Sequence, residues 1–233
     1  MVTYNAEDGA YSLTQAGIVV SVILVVVAVI IAAAGAVWLY KGGKKKGEQG
    51  ESRITVKQLV FSAMALALAF PLSYIKVIHF PWGGSATLCS MFFVTIIGYW
   101  YGAGVGFSAA FAYSLLQFIQ GGSSWMLSLP QVLLDYIFAF TALGISGFFK
   151  GKKHGMIIGY LLAVFARGVF HSLGGYLYWM DYMPEEFPQS LAMLYPVIYN
   201  YAYLVAEAAI TIVILILPPV RSALAAIEKE RKS

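Results

Sequence analysis

The 233-residue chain is 60% apolar and only 11% charged, with a formal net charge of +4 and a mean hydropathy of +0.77. Soluble domains carry about 25% charged residues, so this composition excludes a soluble globular protein and indicates an integral membrane protein. The apolar runs have the length of membrane-spanning helices, and the alternating strands of a barrel are absent. The single cysteine, Cys89, excludes an intramolecular disulfide and lies in an apolar run, which favours a packing role.

The first predicted span follows a polar N-terminal stretch that contains two acidic residues and no basic ones. The apolar run at 17–40 is too long for a signal peptide, and its basic residues lie on the far side. We therefore expect residues 1–40 to form an outer N-terminus and an uncleaved transmembrane anchor. The Gly- and Lys-rich linker at 41–55 is expected in the cytoplasm, because basic loops stay on that side of the membrane.

Six further spans are predicted, separated by breaks that are mostly marked by Gly and Pro: 56–78, 86–102, 104–121, 129–149, 154–178 and 193–218. Seven spans that start outside end inside, so the tail at 219–233 is cytoplasmic. The basic turn at 150–153 then also falls inside, whereas the acidic loop around Asp181 falls outside, as the positive-inside rule requires. The prediction is an all-α integral membrane protein, with a six-helix domain at 56–218 and one additional helix before it.

Polar and aromatic side chains converge on the outer half of this predicted bundle. Three helices and the loop after the second span contribute them: Trp82, Asp135, Tyr136, His171, Trp179, Tyr195 and Asn200. Interfacial aromatic residues are often membrane anchors, and an Asn often links two helices. A carboxylate within the membrane is costly, however, and indicates function. Asp135 among aromatic rings predicts a pocket for a flat cation, with His171 and Asn200 hydrogen-bonding to a heteroaromatic edge.

Two more ionisable residues lie deeper in the predicted membrane. Arg167 is one turn deeper than His171, and Glu207 is two turns deeper than Asn200, so both reach a similar depth on neighbouring helices. We predict a structural ion pair between Arg167 and Glu207. The glycine pair at 174–175 leaves room for a close approach of backbone or ligand.

Several local segments at these positions resemble the thiamine-specific substrate-binding subunit (S component) of energy-coupling factor transporters. They occur in the family's order: FSAMALALAF, PWGGS, LLDYIFAF, VFHSLGGYLYW and YPVIYN. The resemblance covers about residues 56–218 and implies six helices with a thiamine pocket near the outer surface. The N-terminal span at 17–40 departs from this six-helix pattern.

The resemblance also implies roles for individual residues. Trp82 matches a loop tryptophan that helps close the site, and Asp135 matches an acidic position that also accepts Glu. The remaining pocket positions of the family match Tyr136, His171, Trp179, Tyr195 and Asn200. Ala63 and Ala67 match an Ala-x-x-x-Ala face that docks the transmembrane coupling subunit.

The implied function is high-affinity capture of thiamine at a bacterial plasma membrane, with delivery inward by a coupling subunit and two ATPase subunits. The chain contains no ATPase phosphate-binding loop, so energy would come from these partners. We expect neither an enzyme nor a resident cofactor, metal or nucleic acid, because no metal-ligand cluster or activated nucleophile is evident. Two alternatives remain: an S component for another vitamin, and a stand-alone proton-coupled carrier that uses Asp135, His171 and Glu207 as a relay.

Overall fold

A computed structural model of the protein describes residues 2–5, 10–13, 19, 54–121 and 127–232. Apart from residue 19, the predicted anchor at 17–40 lies outside the described residues, as does nearly all of the linker at 41–55. At the N-terminus, strand β1 (Val2–Asn5) pairs with strand β2 (Ala10–Leu13) in an antiparallel hairpin.

The rest of the described chain is mainly helical. The helices are α1 (Val56–Tyr74), α2 (Ser90–Tyr101), α3 (Ala103–Gly121), α4 (Leu129–Phe149), α5 (Gly155–Tyr182), α6 (Gln189–Ile216) and α7 (Pro218–Lys232). Helices α1, α4, α5 and α6 are long and apolar enough to cross a membrane, and α2 is a shorter apolar helix. This architecture confirms the predicted all-α, multi-pass membrane fold. The additional helix at 17–40 stays a prediction.

Helix α1 shows how the membrane changes the packing pattern. It begins at a capping box, in which the Thr55 side chain accepts from the Gln58 backbone N–H and the Gln58 side chain accepts from the Thr55 N–H. Its buried residues are small: Ser62, Ala65, Ala69 and Ser73. Its large apolar side chains, such as Leu59 and Met64, are exposed. Small residues let helix backbones approach closely, whereas lipid accepts the large apolar groups.

Glycines bring helices α2, α3 and α4 into direct backbone contact. A Cβ atom at Gly106 would lie 2.7 Å from the Cα atom of Gly98, and a Cβ atom at Gly147 would overlap the backbone of Ala103. Side chains larger than hydrogen therefore do not fit at Gly106 and Gly147, where the helices cross.

The predicted spans at 56–78 and 86–102 are wrong at the ends that face each other. Helix α1 ends at Tyr74, and strand β3 (Lys76–His79) pairs antiparallel with strand β4 (Ser85–Thr87) before α2 begins at Ser90. The apolar Val77 and Ile78 suggested a continuing helix, but the backbone of this segment pairs across the hairpin instead. We call residues 76–87 the lid hairpin.

Helices α4 and α5 depart from regular α-helix near the lid hairpin. Residues Leu133–Phe138 of α4 and Gly175–Trp179 of α5 are π-helical. A π-helical turn contains an extra residue, redirects the side chains around it, and is frequent at functional sites. Because the helices alternate in direction, the starts of α2, α4 and α6 and the ends of α1, α3 and α5 meet at the end of the bundle that carries the lid hairpin.

Candidate functional site

A cavity of about 630 Å³ lies at the lid-hairpin end of the bundle. The lid hairpin, the first turns of α4 and α6, and the last turns of α5 form its walls. All seven residues predicted from the sequence to form a pocket line this cavity: Trp82, Asp135, Tyr136, His171, Trp179, Tyr195 and Asn200. The structure therefore brings together residues that are up to 118 positions apart, from Trp82 to Asn200.

The Asp135 carboxylate lies on the π-helical segment of α4 and is only 9% exposed. Its Oδ2 atom accepts hydrogen bonds from Gln131 Nε2 at 2.9 Å and from Trp179 Nε1 at 2.6 Å. Its Oδ1 atom lies 3.7 Å from Nδ1 of His171. The two donors to Oδ2 are neutral, so they orient the carboxylate without cancelling its charge.

The glycine pair of α5 makes this arrangement possible. A Cβ atom at Gly174 would overlap the Asp135 carboxylate, and one at Gly175 would lie 2.7 Å from the Cβ atom of Pro196. The close approach expected at residues 174–175 is thereby confirmed. The absence of side chains there lets α5 contact both α4 and α6 at the level of the cavity.

His171 is held on both sides by charged side chains. Arg167 Nε donates to His171 Nε2 at 3.1 Å, and the Arg167 guanidinium lies 4.1 Å from the ring centroid of Phe140. Because Nε2 accepts this hydrogen bond, the imidazole proton of neutral His171 is on Nδ1, which faces Asp135. Arg167, His171 and Asp135 thus form one connected row.

The predicted ion pair between Arg167 and Glu207 is wrong. Among the described residues, Glu207 instead accepts hydrogen bonds from Thr87, Ser90 and Met91, and Arg167 is directed toward His171 and Phe140. Counting helical turns gives the depth of a side chain, but not the direction in which it points. Glu207 faces the lid hairpin and α2, whereas Arg167 faces α4.

Asn200 connects helices α5 and α6. Its Nδ2 atom donates to the backbone oxygens of Pro196 at 2.7 Å and His171 at 3.2 Å, and its Oδ1 atom accepts from Tyr203 Oη at 2.8 Å. Both amide hydrogens are therefore occupied by protein. The remaining acceptor capacity of Oδ1 is what this side chain can offer a ligand.

An aromatic wall closes the cavity on the side of the lid hairpin. The rings of Tyr195 and Tyr199 stack with centroids 5.5 Å apart and an angle of 14° between their planes. Phe187, which is 2% exposed, packs edge-on against both Trp82 and Tyr195. The Tyr195 hydroxyl donates to the backbone oxygen of Trp82 at 3.3 Å. The tryptophan predicted to close the site is therefore held by backbone and ring contacts.

Several residues of the cavity wall were not predicted from the sequence. Tyr199 and Tyr203 extend the face that begins at Tyr195, and Phe140 and Tyr182 complete the aromatic lining. The signal for two of them was present, because Tyr195, Tyr199 and Tyr203 follow one another at intervals of four residues and so share one face of a helix.

Ala63 and Ala67 lie away from the cavity, on the outer surface of α1, and both are exposed. They are surrounded by the exposed side chains of Val60, Met64 and Leu68. The predicted small-residue face is therefore accessible from outside the bundle. Its role in docking stays a prediction.

The thiamine transporter protein family (Thia_YuaJ) matches residues 59–226, which is well over half of the chain and includes every residue of the cavity. The chain belongs to this family. The resemblance drawn from short segments of the sequence is thereby confirmed. Because the family consists of transporters, the chain is not an enzyme.

Two relatives are consistent with this assignment. The chain is 29% identical over 150 residues to the thiamine transporter ThiT of Bacillus subtilis (strain 168), a match that covers 59% of this chain and 76% of the relative. It is also similar to the solved structure of ThiT from Listeria monocytogenes, with a TM-score of 0.55 and 23% identity. That match covers 68% of this chain and 90% of the other. The structural likeness supports the same helical fold.

Proposed function

We propose that the chain is the thiamine-binding subunit of an energy-coupling factor uptake transporter. The observation that carries the proposal is the buried, anionic Asp135 in an aromatic cavity of a chain that belongs to the thiamine transporter protein family. Thiamine contains a permanently charged thiazolium ring and an aminopyrimidine ring. A flat cation of this kind suits a cavity that offers one negative charge and several ring faces.

The charge on Asp135 is the main attraction for the cation. Oδ2 accepts from the Gln131 and Trp179 donors and Oδ1 lies 3.7 Å from His171 Nδ1, so the carboxylate is held in place as a fixed negative charge on the cavity wall. Burial weakens the screening by water, so a favourable ion contact is stronger here than at the protein surface. The rings of Tyr136, Trp179 and Tyr199 add cation–π and stacking contacts of the kind that aromatic cages use.

The polar edge of the ligand is matched by groups with remaining hydrogen-bonding capacity. The Asn200 Oδ1 atom already accepts from Tyr203 and retains a second lone pair, which suits an amino group. Trp82 and Phe187 cover the cavity on the lid side. In this proposal, ligand enters when the lid hairpin moves away from the aromatic wall and is enclosed when it returns.

The distribution of charge supports an outward-facing cavity. The basic turn Lys150–Lys153 and the basic residues of α7 lie at the end of the bundle opposite the lid hairpin, whereas Asp181, Glu185 and Glu186 lie near the cavity. Positive residues stay in the cytoplasm, so the lid hairpin and the cavity face the outside of a bacterial plasma membrane. This orientation puts the C-terminus in the cytoplasm and, with the predicted anchor, the N-terminus outside.

Uptake against a gradient requires partners. The exposed face that contains Ala63 and Ala67 is the proposed contact for the transmembrane coupling subunit, because small residues allow close helix packing. The coupling subunit would transmit the work of two ATPase subunits, and this chain would bind its ligand without pumping it alone.

Titration calorimetry of the purified chain with thiamine, riboflavin and biotin tests the ligand. We expect tight binding of thiamine only, and a loss of about 100-fold in Asp135→Asn, because removal of a buried ion contact costs about 3 kcal/mol. Asp181→Asn, which removes a carboxylate from the last turn of α5 at the same end of the bundle, is the control and should leave affinity unchanged. Tight binding of another vitamin, or unchanged binding in Asp135→Asn, would reject the assignment.

Reconstitution in liposomes tests the alternative of a proton-coupled carrier. That alternative would use Asp135, His171 and Glu207 as a relay. Glu207 hydrogen-bonds to the lid hairpin and α2, however, so the described residues offer no continuous hydrogen-bonded path from it to His171. We expect no uptake by the chain alone under a pH gradient, and uptake with ATP once the partners are present.

A further inference from the structure

One face of helix α6 follows the lid hairpin from its tip to its base. Tyr195, Tyr199, Tyr203 and Glu207 are spaced by four residues, so their side chains form a single stripe along the helix. Three members of the stripe are tyrosines with no charge, and the fourth is a carboxylate. The two parts of the stripe hold the lid hairpin in physically different ways.

The tip of the lid hairpin rests on the tyrosines. Gly83 and Gly84 have positive φ angles of 100° and 72°, which favour glycine. A Cβ atom at Gly83 would lie 3.1 Å from the Tyr199 ring, and one at Gly84 would overlap the Tyr203 ring. The backbone of the tip therefore lies against neutral rings in van der Waals contacts that are individually weak. One neutral hydrogen bond, from the Tyr195 hydroxyl to the Trp82 backbone oxygen at 3.3 Å, also joins the tip to α6.

The base of the lid hairpin is held by the carboxylate of Glu207, which is 2% exposed. Oε2 accepts from the Thr87 backbone N–H at 3.3 Å and from the Thr87 hydroxyl at 2.6 Å. Oε1 accepts from the Ser90 hydroxyl at 3.0 Å and from the Met91 backbone N–H at 3.1 Å. Four donors thus compensate the burial of one charge, which would otherwise be very unfavourable.

Glu207 also replaces a missing helix cap. The residue before α2, Cys89, has a positive φ angle of 57° and makes no side-chain capping hydrogen bond. The Glu207 carboxylate, from a distant helix, accepts the backbone N–H of Met91 in the first turn of α2. A negative charge is favourable at this end of a helix, where unsatisfied N–H groups and the helix dipole coincide.

We propose that Glu207 is a positioning residue for ligand binding: it fixes the base of the lid hairpin to α6, so that only the tip opens to admit ligand. The inference rests on the proposed thiamine-binding function and assigns Glu207 a place in it, without contact to the ligand. The charged, buried contacts at the base are strong and the neutral contacts at the tip are weak. Opening therefore begins at residues 82–84, while residues 85–91 stay in place.

The test combines Glu207→Gln with hydrogen exchange of the ligand-free protein. A glutamine keeps one oxygen and replaces the other with a donor, so two of the four donors lose their acceptor. We expect amide exchange in residues 85–91 to accelerate by about tenfold, the effect of losing hydrogen bonds to a charged group. Exchange in the middle of α5 should not change. Glu228→Gln, the same substitution on α7, is the matched control and should behave as wild type.

The kinetics of thiamine binding provide a second readout. With a loosened base, the closed lid is less stable, so thiamine should dissociate about tenfold faster from Glu207→Gln while its association rate stays near that of wild type. Thr87→Val, which removes one hydroxyl donor and preserves the shape of the side chain, should change both readouts in the same direction by a smaller factor. This variant decides the question if Glu207→Gln does not fold.

Two results would overturn the proposal. One is unchanged exchange at residues 85–91 in a folded Glu207→Gln or Thr87→Val protein. The other is a uniform acceleration across all helices, which would indicate general destabilisation. If wild type does not bind thiamine, the proposed function fails, but the exchange experiment still decides whether Glu207 anchors the lid hairpin.

Discussion

The indole Nε1 of Trp179 donates a 2.6 Å hydrogen bond to Oδ2 of Asp135, and each of these residues lies on a π-helical segment of its own helix. This contact joins α4 to α5 at the wall of the cavity. The extra residue of a π-helical turn redirects the side chains around it. The contact leaves the second carboxylate oxygen directed toward His171.

Trp179→Phe tests the value of this hydrogen bond, because it removes the N–H donor and retains an aromatic ring. We expect thiamine affinity to fall about tenfold, since a hydrogen bond to a charged group contributes about 1.5 kcal/mol or more. Trp179→Ala should lose more, because the ring face is removed as well. Calorimetry measures both, and Trp100→Phe, at the opposite end of α2 from the lid hairpin, should bind thiamine as wild type does. Equal affinities of Trp179→Phe and wild type would contradict the role of the N–H.

Gly174→Ala tests the close approach of α5 to Asp135. An alanine usually stabilises a helix by about 1 kcal/mol relative to glycine, but its Cβ atom at 174 would overlap the carboxylate. We expect thiamine affinity to fall by at least about tenfold, because the charge moves from its position while the net charge is unchanged. Gly104→Ala is the control, since nothing lies within 4 Å of a Cβ atom there. If both variants bind equally well, the geometry at Gly174 does not matter for binding.

A double charge reversal tests the partners of the two deep ionisable residues. Arg167→Glu and Glu207→Arg should each cost about 3–5 kcal/mol of stability, because each places a buried charge among the wrong partners. The double variant should not rescue either, since the two side chains do not pair with each other. Thermal unfolding in detergent measures the effect. A double variant more stable than the single variants would restore the ion-pair hypothesis.

Ala67→Trp tests the exposed small-residue face of α1. A bulky side chain there should block close helix packing. We expect ATP-dependent uptake with the reconstituted partners to be lost, while thiamine binding to the isolated chain is unchanged because Ala67 does not line the cavity. Val205→Trp places the same side chain on the exposed surface of α6 and should retain uptake. Loss of uptake in both variants would indicate a nonspecific effect of the tryptophan.

Much of the site was predictable because membrane burial makes polar residues informative. A carboxylate such as Asp135 is costly in an apolar helix, so its presence alone indicates a function, and helical spacing gives its depth. The glycine pair at 174–175 likewise predicted a close approach of a neighbouring group, since few other reasons favour two adjacent glycines in a span. These inferences use chemical type and position along one helix, both of which can be read locally.

The predictions from the sequence that the structure contradicts have a common physical origin. Helical spacing predicts similar depths for Arg167 and Glu207, but the partner of a side chain depends on the rotation of its helix and on what packs opposite. Val77 and Ile78 are apolar residues of the kind found in a span, yet they lie in a strand because residues 85–87 are within hydrogen-bonding reach. An Asn that links two helices was one of the interpretations of Asn200 from the sequence, and its partner on α5 was set in the same way, because the His171 carbonyl faces its amide.

The composition and the local pattern of the sequence were sufficient to predict the membrane class, the main helices and the chemical character of the pocket. These features depend on the transfer of residues between water and lipid. The transfer free energy of a segment depends on its own residues, so it can be judged from the sequence without knowing what packs against the segment. The lid hairpin, the π-helical turns and the four donors around Glu207 depend on contacts between distant parts of the chain. Hydrogen bonds are directional and short, so their partners emerge only when the helices have packed.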